Sequence, residues 1–190
     1  MSRSEGDPQI LVVCTANICR SPILEGMLAR SLADAGAPVG VLSAGLLDWD
    51  TPVDPGSVRA TAQYGIDISR HRSRPVSTLD LGRFDLVLTM TREHVRGIVE
   101  RDGSAYRRSF TVKEFSRRLG DAIPPIPGGD LRERVEHLSK GRTGASMLGS
   151  SSEDDIADPH GGKQSEFDTV AEQLHELVIR ITPGLVTLAR

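Results

Sequence analysis

A continuous apolar run near the start of the chain is followed by a helical pattern. Residues 10–13 are all apolar, which is typical of a strand buried on both faces of a parallel sheet. Ser21 and Pro22 then suit the N-cap and the first position of a helix, and Gly36 can close it. The apolar face of this helix is formed at helical spacing by Leu24, Met27, Leu28, Leu32 and Ala35. The pattern predicts a strand, a loop and a helix, in that order.

The rest of the chain repeats this alternation. Further strands are predicted at 39–42, 84–90 and 110–115, and further helices at 57–64 and 91–100. Strands that alternate with helices imply βαβ crossovers. The pattern therefore predicts an α/β fold with a parallel sheet and helices on both of its faces.

A final helix is predicted near the C-terminus. Thr169 and Glu172 fit a capping box at its start, and Pro183 is expected to end or kink it. The apolar face of this helix consists of Val170, Leu174, Leu177, Val178 and Ile181.

The domain organisation follows from length and local composition. A chain of 190 residues is expected to form a single domain with a proper buried core. Residues 1–8 are predicted to be a disordered tail. A flexible insertion is predicted over about 128–155, richest in Gly and Ser from Gly141 to Asp155.

Charge and cysteine content narrow the functional class. The net charge of -3 argues against a general nucleic-acid binder, and no apolar stretch reaches the roughly 18 residues that span a bilayer. The polar N-terminus does not resemble a signal peptide, so a cytoplasmic location is expected. The two cysteines, Cys14 and Cys19, form neither a disulfide framework nor a zinc pattern, and the histidines show no metal-ligand spacing. The oligomeric state stays open.

Candidate chemistry lies between the first strand and the first helix. Cys14 ends the strand, and Arg20 and Ser21 open the helix. Backbone N–H groups of such a loop, with a helix N-terminus behind them, form a cradle for phosphate. Arg20 can clamp two phosphate oxygens, and the same positive field favours the thiolate of Cys14 as a nucleophile. Ser21 can donate a hydrogen bond to the sulfur, and Asn17 tolerates the left-handed backbone that a tight cradle requires.

Cleavage of the bond between phosphorus and a substrate oxygen also needs a proton donor for that oxygen. Asp158, which precedes a proline at the end of the predicted insertion, is the candidate. A carboxylic acid there can protonate the leaving group and later take a proton from the attacking water.

The loop from Cys14 to Ser21, close to the N-terminus, and the late Asp158-Pro159 pair together resemble the low-molecular-weight protein tyrosine phosphatase family. The resemblance covers nearly the whole chain apart from the tail and residues near 128–155. It implies a four-stranded parallel sheet with flanking helices, a phosphotyrosine-containing protein as substrate, and no metal or cofactor. Other segments agree in order and spacing: Ser43-Ala44-Gly45, Trp49 with Pro52 to Pro55, Gly65-Ile66-Asp67, His71 to Arg74, and Phe84 to Met90.

The resemblance also implies roles for individual residues. Cys14 would be the nucleophile, Arg20 the phosphate clamp and Asp158 the general acid. Cys19 would capture an oxidised Cys14 as a disulfide, and Trp49 would flank the substrate ring. The phosphate-binding and supporting residues would be Thr15, Ala16, Asn17, Ile18, Cys19, Ser21, Ser43, Trp49 and His71.

The sequence departs from the family pattern at a few positions, and other functions stay open. Ala16 replaces a common loop glycine, and His160 and Gly161 stand where the family often has aromatic residues. Phosphoarginine removal is one alternative, although members with that activity carry threonine where this chain has Ile18. Thiol-dependent arsenate reduction is a second, although it needs further cysteines. An inactive phosphotyrosine-binding module is a third.

Overall fold

The fold is organised around a central strand that is buried on both sides. The computed structural model describes residues 7–121 and 129–189. Within these residues the strands form a sheet of four, paired in parallel throughout, in the spatial order β2-β1-β3-β4. The strands are β1 (Gln9–Cys14), β2 (Gly40–Gly45), β3 (Leu86–Thr89) and β4 (Ser109–Thr111).

Helices follow the strands and cover both faces of the sheet. Alternate residues of β1 separate the two faces: Ile10 and Val12 belong to the larger core with α1 and α6, whereas Leu11 and Val13 belong to the smaller core with Ile98 of α3. The predicted α/β class, with a parallel sheet between helices, is confirmed. The helices are α1 (Arg20–Asp34), α2 (Pro55–Ala62), α3 (Arg92–Arg101), α4 (Val112–Asp121), α5 (Leu131–Leu138) and α6 (Gln164–Leu188).

Helix α1 begins slightly earlier than the sequence pattern predicts. Its N-cap is Cys19, so Ser21 and Pro22 lie within the first turn. The hydroxyl of Ser21 is not used for capping because it bonds to Cys14 and Asn17 in the preceding loop. Ser21, which the sequence predicts to be the helix cap, therefore stabilises the preceding loop instead.

Two other predicted elements are corrected by the structure. The fourth strand ends at Thr111, and the following residues form α4, whose buried Val112 and Phe115 are spaced for a helix. Helix α6 begins at Gln164, where the Lys163 N–H donates to the Glu166 carboxylate at 3.0 Å, and not at a cap on Thr169.

Pro183 does not end α6, because the helix continues to Leu188. A kink at Pro183 stays a prediction. Proline removes one backbone donor and leaves the carbonyl four residues earlier without its helical partner. Here that carbonyl belongs to Ile179, and both residues lie on the exposed face of the helix, where water can satisfy it.

The predicted tail and insertion are partly described. Residues 1–6 lie outside the described residues, while the Pro8 carbonyl already accepts a 2.8 Å hydrogen bond from the Gly40 N–H. Inside the predicted insertion the chain forms α5, which buries Leu131 and Val135 against the core. The flexibility of both segments stays a prediction. No helix in the described parts of the chain is both long and apolar enough to cross a membrane.

The close approach of β2 to the loop after β1 gives a first prediction. A Cβ atom on Gly45 would lie 2.9 Å from the Ala16 carbonyl carbon and 3.0 Å from the Asn17 nitrogen. Gly45→Ala is expected to lower the free energy of unfolding by about 1–3 kcal/mol, the usual cost of overpacking, measured by chemical denaturation. Gly120→Ala is the control, because its Cβ would meet nothing within 4 Å. Equal stability of the two variants would contradict the close packing.

Candidate active site

The loop that joins β1 to α1 turns its carbonyl groups away from the sulfur of Cys14. The Cys14 and Thr15 carbonyls accept from the N–H groups of residues 46 and 47 at 3.1 and 2.9 Å, and the Ile18 carbonyl accepts from the Asp54 N–H at 2.9 Å. In contrast, the Asn17 N–H points to the Cys14 sulfur at 3.2 Å. The loop therefore has its acceptors on the outside and presents a donor to the thiol.

Asn17 holds this loop in shape. Its backbone is left-handed, with φ at 57°, and the residue is fully buried. Its side-chain amide donates to Ser21 Oγ at 2.8 Å and to Ser43 Oγ at 2.7 Å, while its oxygen accepts from the Arg74 N–H at 2.9 Å. One side chain thus ties the loop to α1, to the end of β2 and to the segment after His71.

The Cys14 sulfur receives two hydrogen bonds. Ser21 Oγ lies 3.0 Å from it and the Asn17 nitrogen 3.2 Å from it. Because Ser21 Oγ already accepts from Asn17, its own proton is available for the sulfur. Both contacts favour the thiolate, which is the nucleophilic form of cysteine.

A second layer of polar side chains lies behind Asn17. His71 Nε2 donates to the Asn17 carbonyl at 3.0 Å, and Ser43 Oγ donates to the Glu25 carboxylate at 2.5 Å. Glu25 also lies 3.7 Å from His71 Nδ1. Asn17, Ser43 and His71 therefore meet in one network. The role of Glu25 is not predicted from the sequence, since nothing but its place on α1 relates it to the loop.

Arg20 is buried and held by three acceptors. Nη1 donates to the Ile156 carbonyl at 3.1 Å, and Nη2 donates to Thr15 Oγ1 at 3.2 Å and to the Asp158 carboxylate at 2.5 Å. Among the described residues its Nε–H has no hydrogen-bond partner. A guanidinium fixed in this way keeps a donor available for an anion in the loop.

A buried histidine supports Thr15. His94 Nε2 lies 2.9 Å from Thr15 Oγ1, and Nδ1 lies 3.0 Å from Thr91 Oγ1. Burial lowers the pKa of His94 to about 3, and the positive charge of Arg20 acts in the same direction. His94 is therefore a neutral hydrogen-bonding group at physiological pH. No motif in the sequence relates it to the loop, because it lies on α3.

Eight of the twelve predicted site residues line one pocket, and the other four, Asn17, Ser21, Ser43 and His71, belong to the hydrogen-bond network around the loop. Cys14 and Arg20 are only 2% and 4% exposed, whereas Trp49 is 43% exposed. The Asp158 side chain is 45% exposed. The pocket therefore runs from an indole and a carboxylate at the surface to a thiol and a guanidinium inside. Its lining residues are Cys14, Thr15, Ala16, Ile18, Cys19, Arg20, Leu47, Trp49, Asp158 and His160.

The second cysteine of the loop lies in a different environment. Burial, followed by the negative charges of Asp54 and Asp158, raises the pKa of Cys19 to about 12. Cys19 is therefore a neutral thiol in the protein. Its capture of an oxidised Cys14 stays a prediction.

Comparison with known proteins agrees with this geometry. A family model described as low molecular weight phosphotyrosine protein phosphatase matches residues 9–128. This chain belongs to that family. Its general mechanism passes through a phosphocysteine. Asp158 lies beyond the matched stretch, so its place in this phosphatase rests on the pocket geometry.

Individual relatives of this phosphatase match different shares of its length. The probable low molecular weight protein-tyrosine-phosphatase EpsP of Ralstonia solanacearum is 38% identical over 109 residues, or 57% of this chain and 72% of that protein. The protein-arginine-phosphatase of Bacillus subtilis is 33% identical over 136 residues, 68% of this chain and 90% of that protein. The crystal structure of a low molecular weight protein tyrosine phosphatase from T. tengcongensis aligns with a TM-score of 0.70 and 27% identity, covering 94% of this chain and 99% of that one.

The lowered pKa of His94 predicts a pH dependence of stability. The folded protein keeps this imidazole neutral down to about pH 3, whereas in the unfolded chain it binds a proton below its ordinary pKa of 6.5. Its contribution is therefore fully present above pH 6.5 and is lost as the pH falls. Between pH 7 and pH 5 the loss is about 2 kcal/mol.

The measurement is the free energy of unfolding at both pH values for the wild type and for His94→Gln. The wild type is expected to lose about 2 kcal/mol more than the variant on acidification. His137→Gln, at a partly exposed position on α5, is the control and should behave as the wild type does. The same pH dependence in all three proteins would show that His94 is not held neutral.

Proposed function

We propose that this phosphatase hydrolyses phosphotyrosine in proteins, with Cys14 as the nucleophile, Arg20 as the phosphate clamp and Asp158 as the general acid. The observation that carries the proposal is the meeting of these three side chains in one pocket, with two hydrogen-bond donors on the Cys14 sulfur. A thiolate, a fixed guanidinium and a carboxyl group are the groups that a phosphocysteine route requires.

Binding places the phosphate against positive charge. The N-terminus of α1 and the loop amides attract the anion. Arg20 offers its Nη groups and its Nε–H, which has no hydrogen-bond partner in the part of the chain that the structure describes. A phosphate oxygen that accepts a hydrogen bond from Arg20 Nη2 competes with Asp158 for the same donor. Substrate binding therefore frees the Asp158 carboxyl group to face the leaving oxygen.

The first chemical step transfers the phosphoryl group to the enzyme. The Cys14 sulfur attacks phosphorus, and the S–P bond forms as the bond from phosphorus to the tyrosyl oxygen breaks. Asp158, as the carboxylic acid, gives its proton to that oxygen, so that a neutral phenol leaves. Arg20 and the loop amides stabilise the charge on the transferred group.

The second step returns the enzyme to its starting state. A water molecule attacks phosphorus and passes a proton to the Asp158 carboxylate, while the S–P bond breaks and inorganic phosphate forms. The sulfur leaves as a thiolate. The Ser21 hydroxyl, 3.0 Å from it, stabilises the negative charge as it develops.

The pocket walls support an aromatic substrate. Leu47 and Trp49 are exposed apolar groups at the entrance, and Ile18 lies further inside. Such walls suit a flat phenyl ring. The protein substrate, a cytoplasmic location and metal-independent turnover belong to the same proposal.

Phosphoarginine is the second candidate substrate. One relative, 33% identical and covered over 90% of its length, is named a protein-arginine-phosphatase. A guanidinium substrate needs polar partners that pair with its N–H groups, whereas Ile18 offers only an apolar surface. The geometry therefore favours phosphotyrosine, and an assay that includes both decides between them.

The central prediction concerns Cys14. The wild type is expected to release phosphate from a phosphotyrosine peptide, and to do so faster than from phosphoarginine or phosphoserine peptides, with a chelator present. Cys14→Ser should turn over none of them, because a serine hydroxyl in this loop lacks the acidity of the thiol. Both proteins should still bind inorganic phosphate, measured by calorimetry. Turnover by Cys14→Ser would rule out the phosphocysteine, and a preference for phosphoarginine would replace the substrate proposal.

A second prediction tests the general acid. Asp158→Asn keeps the size of the side chain but cannot give a proton to the leaving oxygen. We expect kcat to fall by about 10²–10⁴ for phenyl phosphate and clearly less for p-nitrophenyl phosphate, whose leaving group needs little protonation. Asp34→Asn is the control, because Asp34 forms an exposed ion pair on α1. Equal losses with the two substrates would remove Asp158 from the acid role.

A further inference from the structure

Three potential metal ligands of different chemistry meet beside the active-site pocket. Cys19 lies at the N-cap of α1, Asp54 lies at the N-cap of α2, and His160 follows Asp158. One ligand atom from each of Cys19, Asp54 and His160 lies within 4.8 Å of the other two. The catalytic steps described above use none of these three side chains.

The distances are close to those of a tetrahedral zinc site. The Cys19 sulfur lies 3.9 Å from His160 Nδ1, and that nitrogen lies 3.5 Å from Asp54 Oδ2. Ordinary zinc–ligand bond lengths at tetrahedral angles place sulfur and nitrogen about 3.6 Å apart, and nitrogen and oxygen about 3.3 Å apart. Both of these pairs are therefore within a few tenths of an ångström of coordination distances, and the Cys19 sulfur lies within 4.8 Å of an Asp54 oxygen.

Asp54 is oriented by the fold. Its Oδ1 accepts a 2.8 Å hydrogen bond from the Gly56 N–H as the cap of α2, while Oδ2 faces His160. Its backbone N–H is bonded to the Ile18 carbonyl of the phosphate loop at 2.9 Å. One oxygen is thus used by the helix and the other faces the proposed site, which lowers the cost of ordering the side chain on binding.

Cys19 is a protonated thiol whose surroundings suit a metal-bound thiolate. Its raised pKa reflects burial and two nearby carboxylates, and a bound dication reverses both effects. The hydroxyl of Ser57 is fully buried and otherwise unpartnered among the described residues, and it acts on Cys19 to lower the pKa of the thiol. It can donate to the sulfur once the proton is lost.

We propose that Cys19, Asp54 and His160 bind a zinc ion in the wall of the active-site pocket, and that the bound zinc inhibits the phosphatase. Thiolate, imidazole and carboxylate together suit zinc, whereas magnesium and calcium select oxygen ligands. Binding forms the bond from sulfur to zinc and releases the thiol proton to solvent. Cys19 and His160 line the same pocket as Cys14 and Asp158, so the ion occupies space needed by the substrate and attracts the Asp158 carboxylate.

Binding is tested without any assay of turnover. Zinc is titrated into the full chain in competition with a chromophoric chelator, and cobalt is used in parallel to detect a thiolate charge-transfer band. Wild type and Cys14→Ser should both bind one ion. Affinity should fall by more than about tenfold in Cys19→Ser, His160→Ala and Asp54→Asn, since even outer-shell partners of metal sites are worth that much.

Matched variants distinguish loss of this site from misfolding and from zinc bound elsewhere on the chain. Asp54→Asn keeps a side chain that caps α2 as well as aspartate does, so loss of zinc in this variant is not a folding defect. His137→Ala removes a histidine on α5 and should bind zinc as the wild type does. Unchanged binding in His160→Ala and Asp54→Asn, or binding that disappears in Cys14→Ser, would overturn the proposal.

The inhibitory effect rests on the proposed function and is measured separately. Zinc should inhibit hydrolysis of a phenyl phosphate by the wild type and by His137→Ala at the same concentration, and His160→Ala should need at least about tenfold more. Equal inhibition of all three would show that zinc acts elsewhere. If the wild type turned over no substrate, the proposed function would fail while the binding titration still decided the zinc site.

Discussion

The left-handed backbone at Asn17 is the constraint on which the rest of the site depends. Residues other than glycine rarely adopt this conformation, and it persists only where surrounding contacts hold it. Here the same residue supplies those contacts, through hydrogen bonds from its side chain to Ser21, Ser43 and the Arg74 N–H. The turn also directs the Asn17 N–H to the Cys14 sulfur. Loop shape and thiolate stabilisation therefore both depend on Asn17. The buried network of Ser43, Glu25 and His71 holds Asn17 in place.

Arg20 connects this rigid inner part of the site to its exposed entrance. Its guanidinium is fixed from behind by the Ile156 carbonyl and by Thr15, which in turn is held by the neutral imidazole of His94. The remaining partner, Asp158, is half exposed and shares the Nη2 donor that a phosphate oxygen also needs. In the mechanism that we propose, Arg20 exchanges this carboxylate for a phosphate, so that the arrival of substrate releases the acid. The neutrality of His94 matters for this exchange, because a second buried cation beside Arg20 would be repelled by it.

The sequence predicts those parts of the molecule that local patterns determine. The apolar run of β1, the following Cys14-to-Ser21 loop and the helical spacing of α1 lie within a few tens of residues. They indicate the fold class and contain the proposed nucleophile and the proposed clamp. Elements that depend on distant packing are not predicted: α5 within the polar insertion, and the start of α6 at Gln164. The fourth strand is too long in the prediction because Val112 and Phe115 are apolar in either conformation, and only their burial in the core selects the helix. Glu25 and His94 are missed for a related reason, since helices α1 and α3 bring them to the loop from outside any motif.

The two cysteines of the loop lie in different surroundings. Cys14 lies at the end of a strand, where the Ser21 hydroxyl and the Asn17 N–H donate to its sulfur. Cys19, five residues later, has the carboxylates of Asp54 and Asp158 as its electrostatic neighbours, and these disfavour a free thiolate. Hydrogen-bond donors favour the thiolate that the proposed attack on phosphorus requires, whereas carboxylates and an imidazole favour a bound cation, as proposed for Cys19. Sequence spacing does not reveal this difference, because Cys19, Asp54 and His160 come from three segments that only the fold brings together.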